Sequence, residues 1–187
     1  MRRPVSENTS FTVLLFDGKS APARFVGFDR LTNLAYFHLS DGVSVPAIAL
    51  ANSDDARTGK RLIVIGNSAA EYQNGLSVGV LGNLNRTFNL AGKTVSSSEK
   101  WEGVFDMDLQ VSQDFVGGPA VGYNGEMVGL VGALLLDNVE TPFLIPSNVV
   151  RSSYTRALAG DARKARRARS LLSADYQGLC FGACAQS

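Results

Sequence analysis

The chain has 187 residues, of which 45% are hydrophobic and 19% charged, a composition typical of a globular protein with an apolar core. No apolar run reaches the ~20 residues of a membrane-spanning helix, and no apolar segment follows the two N-terminal arginines as it would in a signal peptide. Two cysteines exclude a disulfide framework and a four-ligand zinc site, and any chemistry that needs histidine must use His38.

Short β-branched and aromatic segments alternate with turn signals along most of the chain. The first of them ends at Asp17-Gly18, a dipeptide that favours a hairpin turn. A polar stretch over 41–60, interrupted by Pro46, predicts a linker. The segments predicted as strands are, in chain order, 11–16, 23–28, 34–39, 61–66, 76–81, 104–109, 119–121, 127–136 and 142–145. Strands of this number and spacing are typical of an all-β sandwich or barrel.

One helical pattern follows the last predicted strand. Ser147, directly after Pro146, is the predicted N-cap. Apolar residues then share one helical face, namely Val149, Val150, Tyr154, Ala157 and Leu158. The pattern predicts a helix over 147–172 that Gly160 ends or interrupts, whereas 173–187 carries no recognisable pattern.

Positive charge is concentrated behind the strands. Residues 1–150 contain 11 Lys+Arg and 15 Asp+Glu, whereas residues 151–187 contain seven and two. The densest basic patch consists of Arg163, Lys164, Arg166, Arg167 and Arg169. Such a patch could bind nucleic acid through counterion release, but aromatic residues are almost absent after Tyr154. A solvated face or an acidic protein partner is therefore the favoured interpretation.

Five segments, in matching order and spacing, resemble the HtrA/Deg type of trypsin-like serine protease. They are FDGKSAPA at 16–23, VGFDRLTNLA at 26–35, IGN at 65–67 with LSVGVL at 76–81, the segment 108–119 around the family's nucleophile, and IPSNVV at 145–150. The resemblance covers about 11–151 and implies a trypsin-like double β-barrel with an incomplete N-terminal barrel, plus a C-terminal α-helix. It places the partial barrel at 1–40, the inter-barrel linker at 41–60, the C-terminal barrel at 61–146, the basic helix at 147–172 and a tail at 173–187.

The catalytic positions of that family carry other residues in this chain. By resemblance, Val116 stands at the nucleophilic serine, eight residues after Asp108, and Asn33 stands at the catalytic aspartate. Asp114 stands at the glycine whose N–H helps to form the oxyanion hole, where a carboxylate would oppose developing negative charge. Peptide cleavage needs a hydroxyl, an imidazole and a carboxylate in these roles, so we expect no catalytic residues.

The histidine and the remaining reactive side chains do not restore a catalytic centre. The family's histidine-bearing segment precedes the hairpin at 16–23, and we expect it to be absent, because His38 lies on a later strand and fits a surface position. Ser112 is interpreted as a loop serine, since a displaced nucleophile would lack a base. Cys180 and Cys184 are interpreted as solvent-side thiols in preference to a disulfide or a metal contact. No metal site and no cofactor are predicted.

The resemblance also implies a peptide-binding groove. Its residues would be Phe115, Val116, Gly117, Leu130, Val131, Gly132, Ala133, Phe143 and Leu144. The segment 130–133 would pair with an extended peptide by β-augmentation. We also expect the turn at Gly117-Gly118 to need small residues for close backbone packing.

The leading hypothesis is therefore a pseudoprotease that binds protein or peptide, or serves as an assembly subunit. One alternative is an active HtrA-like endopeptidase with a non-standard or trans-supplied catalytic centre, and another is a nucleic-acid-associated protein that uses the basic helix. Because a partial first barrel leaves strand edges unpaired, we expect a homo-oligomer or another chain that completes it. The location is uncertain, since the sequence carries no signal peptide whereas the resemblance suggests an extracytoplasmic protein.

Overall fold

The computed structural model describes residues 11–29, 31–40, 42–68, 72–89, 100–109, 115–136 and 139–159. The chain divides into two compact units. Unit 1 comprises Met1–Ala47 and Ser153–Ser187, and unit 2 comprises Ile48–Ser152. Within the described ranges, no helix combines the length and the apolar character needed to cross a membrane.

Unit 1 contains a three-stranded antiparallel sheet. Its strands, in the order β1-β2-β3, are β1 (Phe11–Leu14), β2 (Ser20–Asp29) and β3 (Leu34–Leu39). The predicted turn between β1 and β2 is present, because Leu15 N–H donates to the Lys19 carbonyl at 2.8 Å and Gly18 has φ 80°. Aromatic rings then link the three strands edge to face, since Phe37 on β3 lies 4.7 Å from Phe11 and 5.6 Å from Phe25 between ring centroids.

Unit 2 is a nearly closed barrel of antiparallel strands. Its strands are β4 (Arg61–Ser68), β5 (Tyr72–Leu81), β6 (Arg86–Asn89), β7 (Lys100–Val104), β8 (Met107–Asp108), β9 (Pro119–Gly122), β10 (Met127–Leu136) and β11 (Val139–Pro146). Six of them form a sheet in the order β11-β10-β9-β4-β5-β8, and β6 pairs with β7. Phe105, just before β8, exchanges two backbone hydrogen bonds with Leu144 on β11 at 2.9 and 2.8 Å. This bridge joins the two ends of the six-stranded sheet.

The core of unit 2 follows from the alternation of apolar residues along these strands. Its buried members are Ala56, Leu62, Val64, Leu81, Phe105, Met107, Ala120, Val131 and Leu144. Burying each larger aliphatic side chain contributes about 1.5–3 kcal/mol, so this cluster stabilises the barrel that carries the turn before β9. The stretch 41–60 supplies Ala56 to the core, and its Leu50 forms a parallel bridge with Met127.

Helix α1 (Ser147–Ala159) follows β11 directly. Its first turn is capped by another segment of unit 2, because Asn148 N–H donates to Ser53 Oγ at 3.2 Å. The Ser147 hydroxyl instead donates to the Ala51 carbonyl at 2.7 Å, so the predicted capping role of Ser147 is wrong. Leu158, expected on the packed face, is 55% exposed, whereas Ser153 is fully buried.

The all-β fold with a C-terminal helix is confirmed. The predicted bounds of β3 agree with the structure, while β2, β4, β5 and β11 extend by a few residues beyond their predicted bounds. The strand predicted at 104–109 is divided between β7 and β8. Asp106 interrupts it, since its carboxylate accepts a hydrogen bond from Met107 N–H at 3.1 Å and pairs with Arg86 at 2.8 Å. Strand β6 was not predicted.

Candidate functional site

The turn before β9 carries Val116, the residue that the sequence resemblance predicts at the nucleophile position. Phe115 anchors this turn, because its ring packs against the core of unit 2 and lies over Gly66 on β4. A Cβ atom on Gly66 would come within 2.5 Å of Phe115 Cδ1. Val116 itself is half-buried and presents only an alkyl side chain, so its place in the turn offers no atom that can attack a carbonyl carbon.

Two glycines shape the rest of the turn. Gly117 has φ 85°, in the left-handed region that residues with side chains disfavour. Gly118 lies directly against the carbonyl oxygen of Ile65, which leaves no room for a Cβ atom. The expectation that Gly117-Gly118 requires small residues is therefore confirmed by packing and backbone geometry.

Strand β10 lies beside this turn and is hydrogen-bonded to it. Val131 N–H donates to the Gly118 carbonyl at 2.9 Å, and Gly117 N–H donates to the Val131 carbonyl at 2.8 Å. Backbone groups of alternate residues point to the same edge of a strand, so the N–H and C=O of Ala133 face the edge that Val131 uses. On the other edge, Ala133 lies opposite Pro142 of β11, which has no N–H to donate.

The edge of β10 at Ala133 is open within the described part of the chain. Strand β9 pairs with β10 only between Met127 and Leu130, and the turn extends this pairing to Val131. No described residue continues it to Ala133. The backbone there has one donor and one acceptor in position to pair with an extended segment.

The proposed groove residues fall into two groups in the structure. The buried group consists of Leu130, Val131, Gly132, Phe143 and Leu144. The Phe143 ring lies across Gly132, and Leu144 points into the barrel core. The half-exposed group consists of Phe115, Val116, Gly117 and Ala133. Within the second group, Phe115, Val116 and Ala133 have side chains that can touch a ligand, while the first group fixes the strand that a ligand would pair with.

In unit 1, Asn33 lies in the turn between β2 and β3. It is exposed, and it is the one non-glycine residue with positive φ, 54°, in the described ranges. Asparagine tolerates this conformation better than most residues. Its side-chain amide does not ionise, so it cannot orient or stabilise an imidazolium as a carboxylate would. His38 is exposed on β3 opposite Arg24, in agreement with the surface position expected for it.

A buried carboxylate close to Asn33 was missed by the sequence analysis. Asp29, at the end of β2, is 5% exposed and accepts hydrogen bonds from Arg156 Nη2 at 2.7 Å, Arg156 Nε at 3.2 Å and Thr32 Oγ1 at 2.8 Å. Burial alone would raise the pKa of Asp29, but its hydrogen bonds to Arg156, Thr32 and Ser153 outweigh burial and lower it. Asp29 lies within the matched segment 26–35, and this carboxylate near Asn33 was the sequence signal for the cluster.

Several predicted residues lie outside the described ranges. They are Asp114, Ser112, the basic patch of Arg163, Lys164, Arg166, Arg167 and Arg169, and the pair Cys180 and Cys184. Among the residues that the structure does describe, no group of three or more His, Cys, Asp or Glu side chains is arranged to hold a metal ion.

Comparison with known proteins identifies the family. A family described as a trypsin-like peptidase domain matches residues 2–130. The serine protease Do-like HtrA of Bacillus subtilis is 31% identical over 146 residues, which are 76% of this chain and 32% of that protein. The periplasmic serine endoprotease DegP of Escherichia coli K12 is 29% identical over 151 residues, covering 79% of this chain and 30% of that protein.

A solved structure supports the same assignment. The HtrA-type protease AlgW, determined with a tripeptide, superposes with a TM-score of 0.65 at 25% sequence identity, covering 80% of this chain and 48% of that one. The chain spans about a third of the length of the curated relatives it matches. The resemblance of the five sequence segments is thus confirmed, and the chain belongs to the trypsin-like peptidase family as an HtrA-type member.

Proposed function

We propose that this chain is a catalytically inactive HtrA-type protease homologue that binds extended peptides or unfolded segments of other proteins. The observation that carries the proposal is Val116 at the nucleophile position, on a turn whose backbone is otherwise well formed. Acyl transfer begins with attack by a hydroxyl or thiol, and valine has neither. Asn33 at the aspartate position is a second, independent loss, because the same exchange in an intact triad lowers the rate about 10⁴-fold.

The open edge of β10 at Ala133 supports peptide binding. An extended segment added there would gain a donor and an acceptor from one residue, and its affinity would come mainly from backbone hydrogen bonds. Val116 and Phe115, both half-buried beside this strand, would offer an apolar surface to a side chain of the ligand. The AlgW relative was determined with a tripeptide, which supports a peptide as the class of ligand.

In this account the chain works as a binding or assembly subunit, as a homo-oligomer or with another chain. The E. coli relative is described as periplasmic, and we extend an extracytoplasmic location to this chain on that basis. The open strand edge supports the binding or assembly role, and family membership supports the extracytoplasmic location.

The inactivity is tested with a fluorophosphonate probe, which labels activated serines, and with unfolded casein as substrate. An active HtrA-type protease treated in parallel is the positive control. We expect no labelling of this chain and casein of unchanged length. Labelling at a defined serine, together with casein cleavage that is abolished by mutating that serine, would establish an enzyme and end the proposal.

A further inference from the structure

The second half of α1 is attached to the β2–β3 hairpin through a compact polar cluster in unit 1. We define the cluster as Asp29, Thr32, Ser153 and Arg156. Asp29 Oδ2 accepts from both Arg156 nitrogens and from Thr32 Oγ1, and Thr32 Oγ1 lies 2.7 Å from Ser153 Oγ. Three of the four residues are at most 5% exposed, whereas the Arg156 side chain is 40% exposed.

Close packing brings the same elements together around the cluster. The backbone of β2 at Gly27 approaches the Ala157 carbonyl so closely that a Cβ atom would lie 2.5 Å from its oxygen. The rings of Tyr36 and Tyr154 meet edge to face, with centroids 5.2 Å apart. These contacts are uncharged at neutral and acidic pH, so the polar cluster is the part of this attachment that acid can weaken.

The charge balance of the cluster depends on one carboxylate. The charged and titratable groups facing Asp29 in the described residues are Arg156 on α1 and Tyr36 on β3, and burial raises the pKa of Tyr36 to about 12, which keeps it neutral at ordinary pH. If Asp29 is neutralised, the charge-assisted bonds from Arg156 weaken, and the half-exposed guanidinium can turn to water. The two buried hydroxyls then lose the acceptor that organises them.

We propose that Asp29, Thr32, Ser153 and Arg156 form an acid-sensitive latch. With Asp29 ionised, the latch holds residues 153–159 on the β2–β3 hairpin. When Asp29 is neutralised, these residues detach while unit 2 stays folded. The latch also controls the turn that carries Asn33, because Leu31 N–H donates to Asp29 Oδ1 at 3.3 Å and Thr32 belongs to the same turn.

Hydrogen exchange of the full chain at neutral pH tests the latch. In Asp29→Asn, exchange of residues 153–159 and of 24–29 should rise at least about tenfold, as expected when hydrogen bonds to a charged group are lost. Residues 61–66 and 119–122 of unit 2 should keep wild-type rates. Asp17→Asn is the matched control, since it removes the exposed ion pair with Lys19 in the same unit and should change neither segment.

Titration of the wild-type chain by NMR provides a second measurement that does not depend on a variant folding. The amide shifts of residues 153–159 should move with the same midpoint as the Asp29 carboxyl carbon. The latch is overturned if exchange at 153–159 in Asp29→Asn stays within about twofold of wild type, or if these amides titrate independently of Asp29. If Asp29→Asn unfolds throughout, the midpoint comparison alone decides.

Discussion

Val116 and Asn33 each lie in a turn with a well-defined backbone. In the turn before β9, Gly117 has positive φ and Gly118 packs directly against the Ile65 carbonyl, so the backbone at Val116 is held in place. In the β2–β3 turn, Asn33 holds a positive φ that few residues accept. Under the proposed function, both turns keep their backbone structure and lack the hydroxyl and the carboxylate that peptide cleavage would need there.

Restoring the nucleophile alone should not restore activity. In Val116→Ser, the hydroxyl would meet no carboxylate-oriented base, because Asn33 supplies none. We expect fluorophosphonate labelling to stay at the wild-type background over several hours, with Val116→Ala as the size-matched inert control. Labelling of Val116→Ser at a rate close to that of an active HtrA-type protease would contradict the assignment of Asn33.

The turn conformation of Asn33 can be tested through stability. Because alanine disfavours positive φ, Asn33→Ala should lower the free energy of unfolding by about 1 kcal/mol, whereas Asn33→Gly should be within a few tenths of wild type. Urea titrations of the three proteins measure this. If the alanine and glycine variants prove equally stable, backbone conformation is not what favours asparagine at this position.

Strand β10 is the element on which the binding proposal depends. One of its edges is paired with β11 from Gly129 to Leu136, and the other is paired only as far as Val131. An edge of this kind is a template for another strand. Its open part begins next to the Val116 turn, so a ligand strand and the half-buried apolar residues of that turn would meet at one place.

Removing the backbone donor at Ala133 should weaken peptide binding while leaving the barrel intact. Proline lacks the N–H, and strands tolerate it where that group faces an open edge. In Ala133→Pro, binding of fluorescently labelled unfolded casein should weaken at least about tenfold, as measured by polarisation. Ala133→Ser keeps the N–H and should bind like wild type. Equal affinity of the two variants would show that the ligand does not pair with this edge.

Local patterns predicted the elements whose stabilising contacts are themselves local. β3 is a short run of apolar and aromatic residues and has the predicted bounds, and the Asp17-Gly18 hairpin closes as expected. The cap of α1 could not be predicted in this way, because Ser53 lies 95 residues from Asn148 along the chain. The cluster at Asp29 was missed for the same reason, since Thr32 and Ser153 are 121 residues apart.

The assignment of Val116 and Asn33 to catalytic positions comes from spacing within the matched segments and stays a prediction. Val116 and Asn33 were found by counting along matched segments, and the structure adds the backbone conformations of Gly117 and Asn33. The division of the groove into buried and half-exposed residues was not predictable, since Phe143 and Leu144 read as strand residues whichever face they occupy. Adjacent residues of a strand point to opposite faces, yet both are buried here, because the Phe143 ring lies across Gly132 and Leu144 packs in the barrel core.

The two buried groups that give the folded chain its pH dependence, Asp29 and Tyr36, lie in unit 1. Asp29 has a lowered pKa, so its stabilising contribution is present above the ordinary carboxyl range and is lost as pH falls through its folded-state value. Tyr36 has its pKa raised to about 12, because burial disfavours its ionised form. Its contribution is present below the unfolded-state value of about 10 and is lost as pH rises towards 12.

The loss of stability at alkaline pH can be measured through Tyr36. Between pH 10 and pH 12, the free energy of unfolding of wild type should fall more steeply than that of Tyr36→Phe, which has no phenol to ionise. Urea titrations at intervals across this range give the two slopes, and Tyr123→Phe, which changes an exposed tyrosine, is the control. Parallel slopes for wild type and Tyr36→Phe would mean that Tyr36 ionises freely in the folded chain.

One incubation measures both whether the chain binds an unfolded protein and whether it cuts it. The chain is mixed with labelled unfolded casein, the complex is isolated by size exclusion, and the mass of the bound casein is determined. We predict that wild type retains casein of full length and that Ala133→Pro retains little. Recovery of casein fragments would show that the chain cuts its ligand, and no retention by wild type would show that it does not bind unfolded protein.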